Sequence, residues 1–208
     1  MKMKELKESL DQLFARLSPP YDIVPEWHGP GVTANEMKEV ERRFLALPNE
    51  VKLVCSEFSG LGHDCPLYMG EEFESLHRLV IEKNPDFELD DDLGISKIVD
   101  LRFWGTDPEM SEIKEMDISC LLETQERNRI ACDFDLKKLE DDNFVMIGAT
   151  SYSDCIYIDL TDPESPDFGK IYNTIASAYP YFMMFKMADS YLDLMKKLKK
   201  SLEIKLSE

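Results

Sequence analysis

The feature that most constrains the fold is a change of hydrophobic periodicity along the chain. As far as Asn84-Pro85, apolar residues recur at three- and four-residue spacings, which is the pattern of helices that bury one face. From Ile98 onward they come in short, often β-branched runs separated by turn-forming residues, which is typical of strands. A final helical stripe follows Ser190. This order predicts an α+β fold with N-terminal helices, a central antiparallel sheet and a long C-terminal helix.

Local signals predict where the elements begin and end. Thr33-Ala34-Asn35-Glu36 is a capping box that begins a helix, and Ala188-Asp189-Ser190 caps the last one. Other helices are predicted over Met3 to Leu17, from Leu47-Pro48 to Gly60, and from Glu71 to Asn84. The predicted strands are Ile98 to Trp104, Asn128 to Asp135, Asn143 to Thr150, Asp154 to Leu160, Lys170 to Ile175 and Tyr181 to Phe185.

Side chains on the inward faces of these elements predict a single core. Its expected members are Val51, Val54, Phe58, Ile147, Ile156, Ile158, Ile171, Tyr191, Leu194 and Leu198. Because side chains alternate between the two faces of a strand, Tyr157 lies opposite its neighbours Ile156 and Ile158. We therefore expect Tyr157 to be more exposed than either isoleucine.

The charge of the chain is strongly negative and unevenly distributed. Its 24 Lys and Arg residues stand against 42 Asp and Glu residues, a net charge of −18. Between Asp86 and Asp167 there are 23 acidic and 7 basic residues, which accounts for −16 of that sum. A field of this sign repels nucleic-acid phosphates and favours a basic protein partner.

The acidic residues of the predicted sheet region are the candidate partner-binding residues, with Tyr152 as an aromatic anchor. The alternative is that these carboxylates are only solvated. The candidates are Asp90, Asp91, Asp92, Asp133, Asp135, Tyr152, Asp154, Asp162, Glu164 and Asp167.

Known catalytic and cofactor motifs are missing from the sequence. There is no phosphate loop, dinucleotide-binding turn, nucleophile elbow or H-E-x-x-H pair. His63-Asp64-Cys65 is the nearest approach to a Cys–His nucleophile, but its spacing specifies no oxyanion site. Asp90-Asp91-Asp92 lacks the spacing of a calcium loop. We therefore expect no enzymatic activity, no catalytic residues, and no metal or cofactor.

Cysteine usage and hydropathy bear on the compartment. The five cysteines form no C-x-x-C pair, which favours free thiols in a reducing cytoplasm. No run approaches the roughly 20 apolar residues of a membrane-spanning helix, so we expect a cytoplasmic protein that contacts no membrane.

Several short motifs occur in an order that resembles a known family. They are Phe44–Val51 (FLALPNEV), Phe58–Gly60 (FSG), Val145–Gly148 (VMIG), Asp154–Leu160 (DCIYIDL), Gly169–Tyr172 (GKIY) and Ala188–Tyr191 (ADSY). In this order they resemble the SUKH superfamily, the Smi/Knr-like proteins, from about Gly31 to Leu202. Ser151-Tyr152-Ser153 replaces the glycine-rich turn that this family often has. The resemblance divides the chain into an N-terminal extension (1–30) and a SUKH-like domain (31–208) with an acidic insertion around 86–142.

The resemblance implies a single α+β domain without an active site. Bacterial members of the family commonly act as immunity proteins that bind and neutralise secreted toxins, often nucleases or deaminases. Some eukaryotic members are regulatory scaffolds instead. The leading hypothesis is therefore an immunity protein that binds a basic toxin domain tightly. The alternative is a regulatory or scaffolding interaction module of the same fold.

Overall fold

The protein folds into helices and a single antiparallel sheet. The computed structural model describes residues 3–17, 28, 30–57, 60, 65–66, 94–98, 138, 141–150, 155–175 and 183–207. Within these residues the elements are α1 (Met3–Phe14), α2 (Ala34–Glu41), α3 (Asn49–Glu57), β1 (Cys65–Pro66), β2 (Gly94–Ile98), β3 (Phe144–Thr150), β4 (Cys155–Asp159), β5 (Ile171–Ile175), β6 (Met183–Ala188) and α4 (Tyr191–Lys205). The six strands are ordered β1-β2-β3-β4-β5-β6, and each pair of neighbours is antiparallel. The α+β class, the antiparallel sheet and the long C-terminal helix are confirmed.

Side-chain caps determine where two of the helices begin. The Thr33 hydroxyl accepts the backbone N–H of Glu36 at 3.4 Å, and the Glu36 carboxylate accepts the Thr33 N–H at 2.8 Å. At the start of α4, the Ser190 hydroxyl accepts the N–H of Asp193 at 3.1 Å. These bonds satisfy N–H groups that have no partner within the first turn of a helix. Both predicted caps are confirmed.

The main core lies on the face of the sheet that α4 crosses. Helix α4 contacts both β6 and β1, the outer strands of the described sheet, while α1 and α3 pack against α4 and against each other. All the predicted core residues that the structure describes are buried in one cluster; Phe58 lies outside the described residues. Leu6, Leu10, Leu13 and Phe14 of α1 belong to the same cluster. The N-terminal extension is thus part of the same hydrophobic core.

The sheet is buried on its other face as well, which contradicts one prediction. Tyr157 is fully buried, as are Ile156 and Ile158, so the expectation that it is the more exposed residue is wrong. Its ring stacks on Phe144 with centroids 5.1 Å apart, and Phe144 also lies 5.9 Å from the ring of Tyr172. Alternation along a strand tells which residues share a face, but it does not tell whether that face is in contact with water.

Two predicted strands overlap the described strands in part. β2 (Gly94–Ile98) includes Ile98 of the strand predicted over Ile98 to Trp104, and residues 99–104 lie outside the described residues. β6 (Met183–Ala188) includes the end of the strand predicted over Tyr181 to Phe185 and continues to Ala188, while residues 181–182 lie outside the described residues. Apolar composition does not determine strand register, and β2 and β6 each pair through a bulge. The helix predicted from Glu71 and the strand predicted from Asn128 lie outside the described residues.

The chain entering α2 passes very close to the C-terminal end of α3. The N–H of Val32 donates to the carbonyl of Cys55 at 2.7 Å, and Lys7 of α1 donates to the carbonyl of Glu57 at 3.0 Å. A Cβ atom on Gly31 would lie 2.1 Å from the carbonyl oxygen of Ser56. Only glycine fits at this crossing, because the obstacle is the backbone of Ser56, and hydrogen bonds to the carbonyls of its neighbours Cys55 and Glu57 hold that backbone in place.

We expect Gly31→Ala to destabilise the fold. The added methyl group forces the chain away from α3 and disrupts the Val32–Cys55 bond, which costs about 2–3 kcal/mol by analogy with overpacked cores. Urea unfolding followed by circular dichroism measures the effect. Glu39→Ala, on the exposed side of α2, is the control and is expected to change stability by less than about 0.5 kcal/mol. Equal stability of the two variants would contradict the close approach.

Asn173 of β5 is an exception among the buried polar side chains. It is fully buried in register with Ile156 on one side and Phe185 on the other, on the helix-covered face. Among the described residues, neither its amide nitrogen nor its carbonyl oxygen has a hydrogen-bond partner. An unpaired buried polar group costs roughly 1–3 kcal/mol. Asn173 therefore lowers the stability of the core.

We expect Asn173→Val to raise the free energy of unfolding by about 1 kcal/mol, because it replaces an unpaired amide with an apolar side chain suited to a strand. Thermal and urea unfolding measure the change. The matched control is Asn143→Val, since Asn143 donates to the Asp141 carboxylate at 3.1 Å and its replacement is expected to lower stability. A loss of stability in Asn173→Val would mean that the amide has a partner in solution.

A candidate partner-binding surface at the β4–β5 connection

The candidate surface begins at the end of β4, where a carboxylate is fully buried. Asp159 is 0% exposed. One of its oxygens accepts hydrogen bonds from the backbone N–H of Thr161 at 3.0 Å and the Thr161 hydroxyl at 2.7 Å. The other oxygen accepts a bond from the Lys138 ammonium at 2.5 Å. A buried carboxylate is tolerated only when donors and a cation replace its hydration, and these groups supply both.

Two main-chain hydrogen bonds of Asp159 close the β4–β5 connection (160–170) at the same position. The N–H of Gly169 donates to the carbonyl of Asp159 at 2.7 Å, and the N–H of Asp159 donates to the carbonyl of Lys170 at 3.0 Å. Gly169 has φ +82°, a conformation that favours glycine. A Cβ on Gly169 would lie 3.1 Å from Cγ of Pro48, so the β4–β5 connection packs against the chain between α2 and α3. In the same segment between α2 and α3, the side chain of Leu45 is 75% exposed to solvent.

Short-range hydrogen bonds shape the interior of the connection. The Asp162 carboxylate accepts the N–H of Glu164 at 2.9 Å, and the Ser165 hydroxyl accepts the N–H of Asp167 at 3.1 Å. Side-chain turns of this kind fix local backbone geometry without a regular element. Phe168 packs against the main core from the end of the connection. The side chains of Asp162 and Glu164 remain exposed on this fixed backbone.

Asp167 has a different environment from its two acidic neighbours. Its carboxylate pairs with the ammonium of Lys170 at 2.8 Å and with that of Lys138 at 3.7 Å. The hydrogen bond from Lys170 is the main reason that the pKa of Asp167 lies below its usual value. Burial alone would lower the pKa of Lys138, but the bonds and charges of Asp159 and Asp167 outweigh burial and raise it. Asp167 is thus a paired carboxylate that helps to hold the connection.

Tyr172 and Asp189 also have shifted pKa values, and both keep the charge state that they ordinarily have at neutral pH. Burial, together with the negative charges of Asp167, Asp159 and Asp189, raises the pKa of the Tyr172 phenol. The hydrogen bond from Lys186 lowers the pKa of Asp189. Every resolved shift in the described part of the chain therefore moves a pKa away from neutrality. A general acid or base needs the opposite, a pKa close to the working pH. These four groups therefore keep fixed charge states that can hold the local structure.

The structure places three of the predicted partner-binding residues on one connection. Asp162 and Glu164 are exposed there, and Asp167 is half-buried. The others lie outside the described residues: Asp90, Asp91, Asp92, Asp133, Asp135, Tyr152 and Asp154. His63 and Asp64 also lie outside them, while the backbone of Cys65 belongs to β1. In the described ranges, no group of three or more His, Cys, Asp or Glu side chains is arranged to hold a metal ion.

Lys138 and Asp159, which hold the connection in place, are not among the predicted site residues. Asp159 lies within the strand predicted over Asp154 to Leu160, and Thr161 two residues later is a signal for a local side-chain turn. Nothing local marks Lys138 as its partner, because 21 residues separate the two in the chain.

Comparison with known proteins gives no further guide to this surface. The chain matches no family model, and it matches no curated protein. Among the described residues, no helix has both the length and the apolar character needed to cross a membrane.

We expect Lys138→Met to destabilise the protein by about 3 kcal/mol, because it leaves the buried Asp159 carboxylate without its cation. Adding Asp159→Asn to this variant removes the stranded charge and keeps an oxygen for Thr161. The double variant is therefore expected to recover part of the loss. A double-mutant cycle based on urea unfolding measures the coupling. If the effects of the two substitutions on the free energy of unfolding simply add, the Lys138–Asp159 ion pair contributes no coupling energy.

The pairing of Asp167 also predicts how stability depends on pH. Its pKa is lower in the folded chain than the usual 3.8, so its contribution is fully present above that value and is lost as the pH falls through the lower, folded value. Asp167→Asn should therefore be less stable than the unmodified protein by a constant amount from about pH 5 to pH 8.

Below about pH 4 this difference in the free energy of unfolding should shrink. Urea unfolding at a series of pH values tests the profile, with the exposed Glu39→Gln as the control that stays close to the unmodified protein throughout. A difference that grows toward acid pH would contradict the assigned direction of the pKa.

Proposed function

We propose that this protein is a non-enzymatic binding protein that recognises a basic protein partner through the exposed carboxylates of the β4–β5 connection. The observation that carries the proposal is the contrast within that connection. Asp159 and Asp167 are held by Lys138 and Lys170, whereas Asp162 and Glu164 are exposed on the backbone that these pairs fix. The connection thus presents negative charge in a defined geometry.

Rigidity and charge favour binding in different ways. A connection that is already ordered loses little conformational entropy when a partner binds, so more of the contact energy appears as affinity. The net charge of −18 attracts a basic partner over a distance and speeds the encounter. Leu45, exposed on the neighbouring connection, adds an apolar side chain of the kind that interfaces bury between polar residues.

Within this class, we propose an immunity protein that neutralises a toxin, such as a nuclease or a deaminase, by tight binding. The support is the resemblance to the SUKH superfamily together with the charge. A nuclease that grips phosphates carries a basic surface, and an acidic protein both complements that surface and blocks it. The motif residues that the structure describes lie in the α2–α3 connection and the start of α3, at Gly60, on β3 and β4, where the β4–β5 connection leads into β5, and from the end of β6 into α4.

The alternative is a regulatory or scaffolding module of the same fold whose partner is not a toxin. Capture on the immobilised full chain from a lysate of the native host, followed by mass spectrometry, supplies the candidate partner. Expression of that partner alone, and then together with this chain, separates the two functions. A toxin arrests growth and co-expression restores it, whereas the partner of a scaffold causes no arrest.

We expect the double variant Asp162→Asn/Glu164→Gln to bind the captured partner with an association rate several-fold lower than the unmodified chain. Asn keeps the oxygen that accepts the Glu164 N–H, so the connection should stay folded. The matched control is Glu8→Gln/Glu39→Gln, which makes the same change in net charge at exposed positions on α1 and α2. Stopped-flow or surface-based kinetics measures the rates.

Ionic strength provides a second criterion for the same contact. Raising the salt from about 0.01 M to 0.15 M shortens the screening length from about 30 Å to 8 Å and should slow association of the unmodified chain. The double variant should respond less than the control. Association that is independent of salt, or an equal loss in both variants, would rule out a specific contact at the β4–β5 connection.

A further inference from the structure

We draw no further inference here: the strongest candidate, the fully buried and unpaired carboxamide of Asn173 on the helix-covered face of β5, carries nothing because no part of the chain that the structure describes shows what ligand it would bind.

Discussion

The buried carboxylate of Asp159 is the constraint on which the described end of the sheet depends. A charge at this depth requires a cation and hydrogen-bond donors, and these come from Lys138 and Thr161. Satisfying one side chain therefore fixes the position of a residue distant in sequence and of the first turn after β4, while the main chain of Asp159 bonds the returning chain at Gly169 and Lys170. A hydrophobic residue at the same position would impose no such requirement on the connection.

Asn173 is a second buried polar side chain in the same sheet, and its hydrogen bonding differs from that of Asp159. Both side chains are fully buried on adjacent strands. Asp159 is bonded through both carboxylate oxygens, whereas the Asn173 amide has no partner in the part of the chain that the structure describes. The difference follows from their positions. Asp159 lies at the end of its strand, where a turn and a lysine can reach it, whereas Asn173 lies in the middle of β5 between Ile156 and Phe185. Polar groups at strand ends are easily paired, and those among apolar neighbours are not.

Much of the fold could be predicted because the signals are local. The Thr33 and Ser190 caps lie within three or four residues of the groups that they pair, and the inward stripe of α4 repeats with the helical period. The error arose where the outcome depends on distant parts of the chain, since the burial of Tyr157 depends on the far face of the sheet. Of the candidate surface, the exposed acids were predictable from composition, but the Lys138–Asp159 pair was not, because composition says nothing about which charges meet.

The paired and the exposed charges of the β4–β5 connection have different roles. Where carboxylates of the β4–β5 connection are buried, lysines accompany them and hold the pKa values of Asp167 and Lys138 far from neutrality. Such groups do not exchange protons at neutral pH; they keep the backbone in one shape. The exposed carboxylates of Asp162 and Glu164 present negative charge to the solvent on this fixed backbone. A fixed backbone beneath exposed charge is what a steered and preorganised protein contact requires.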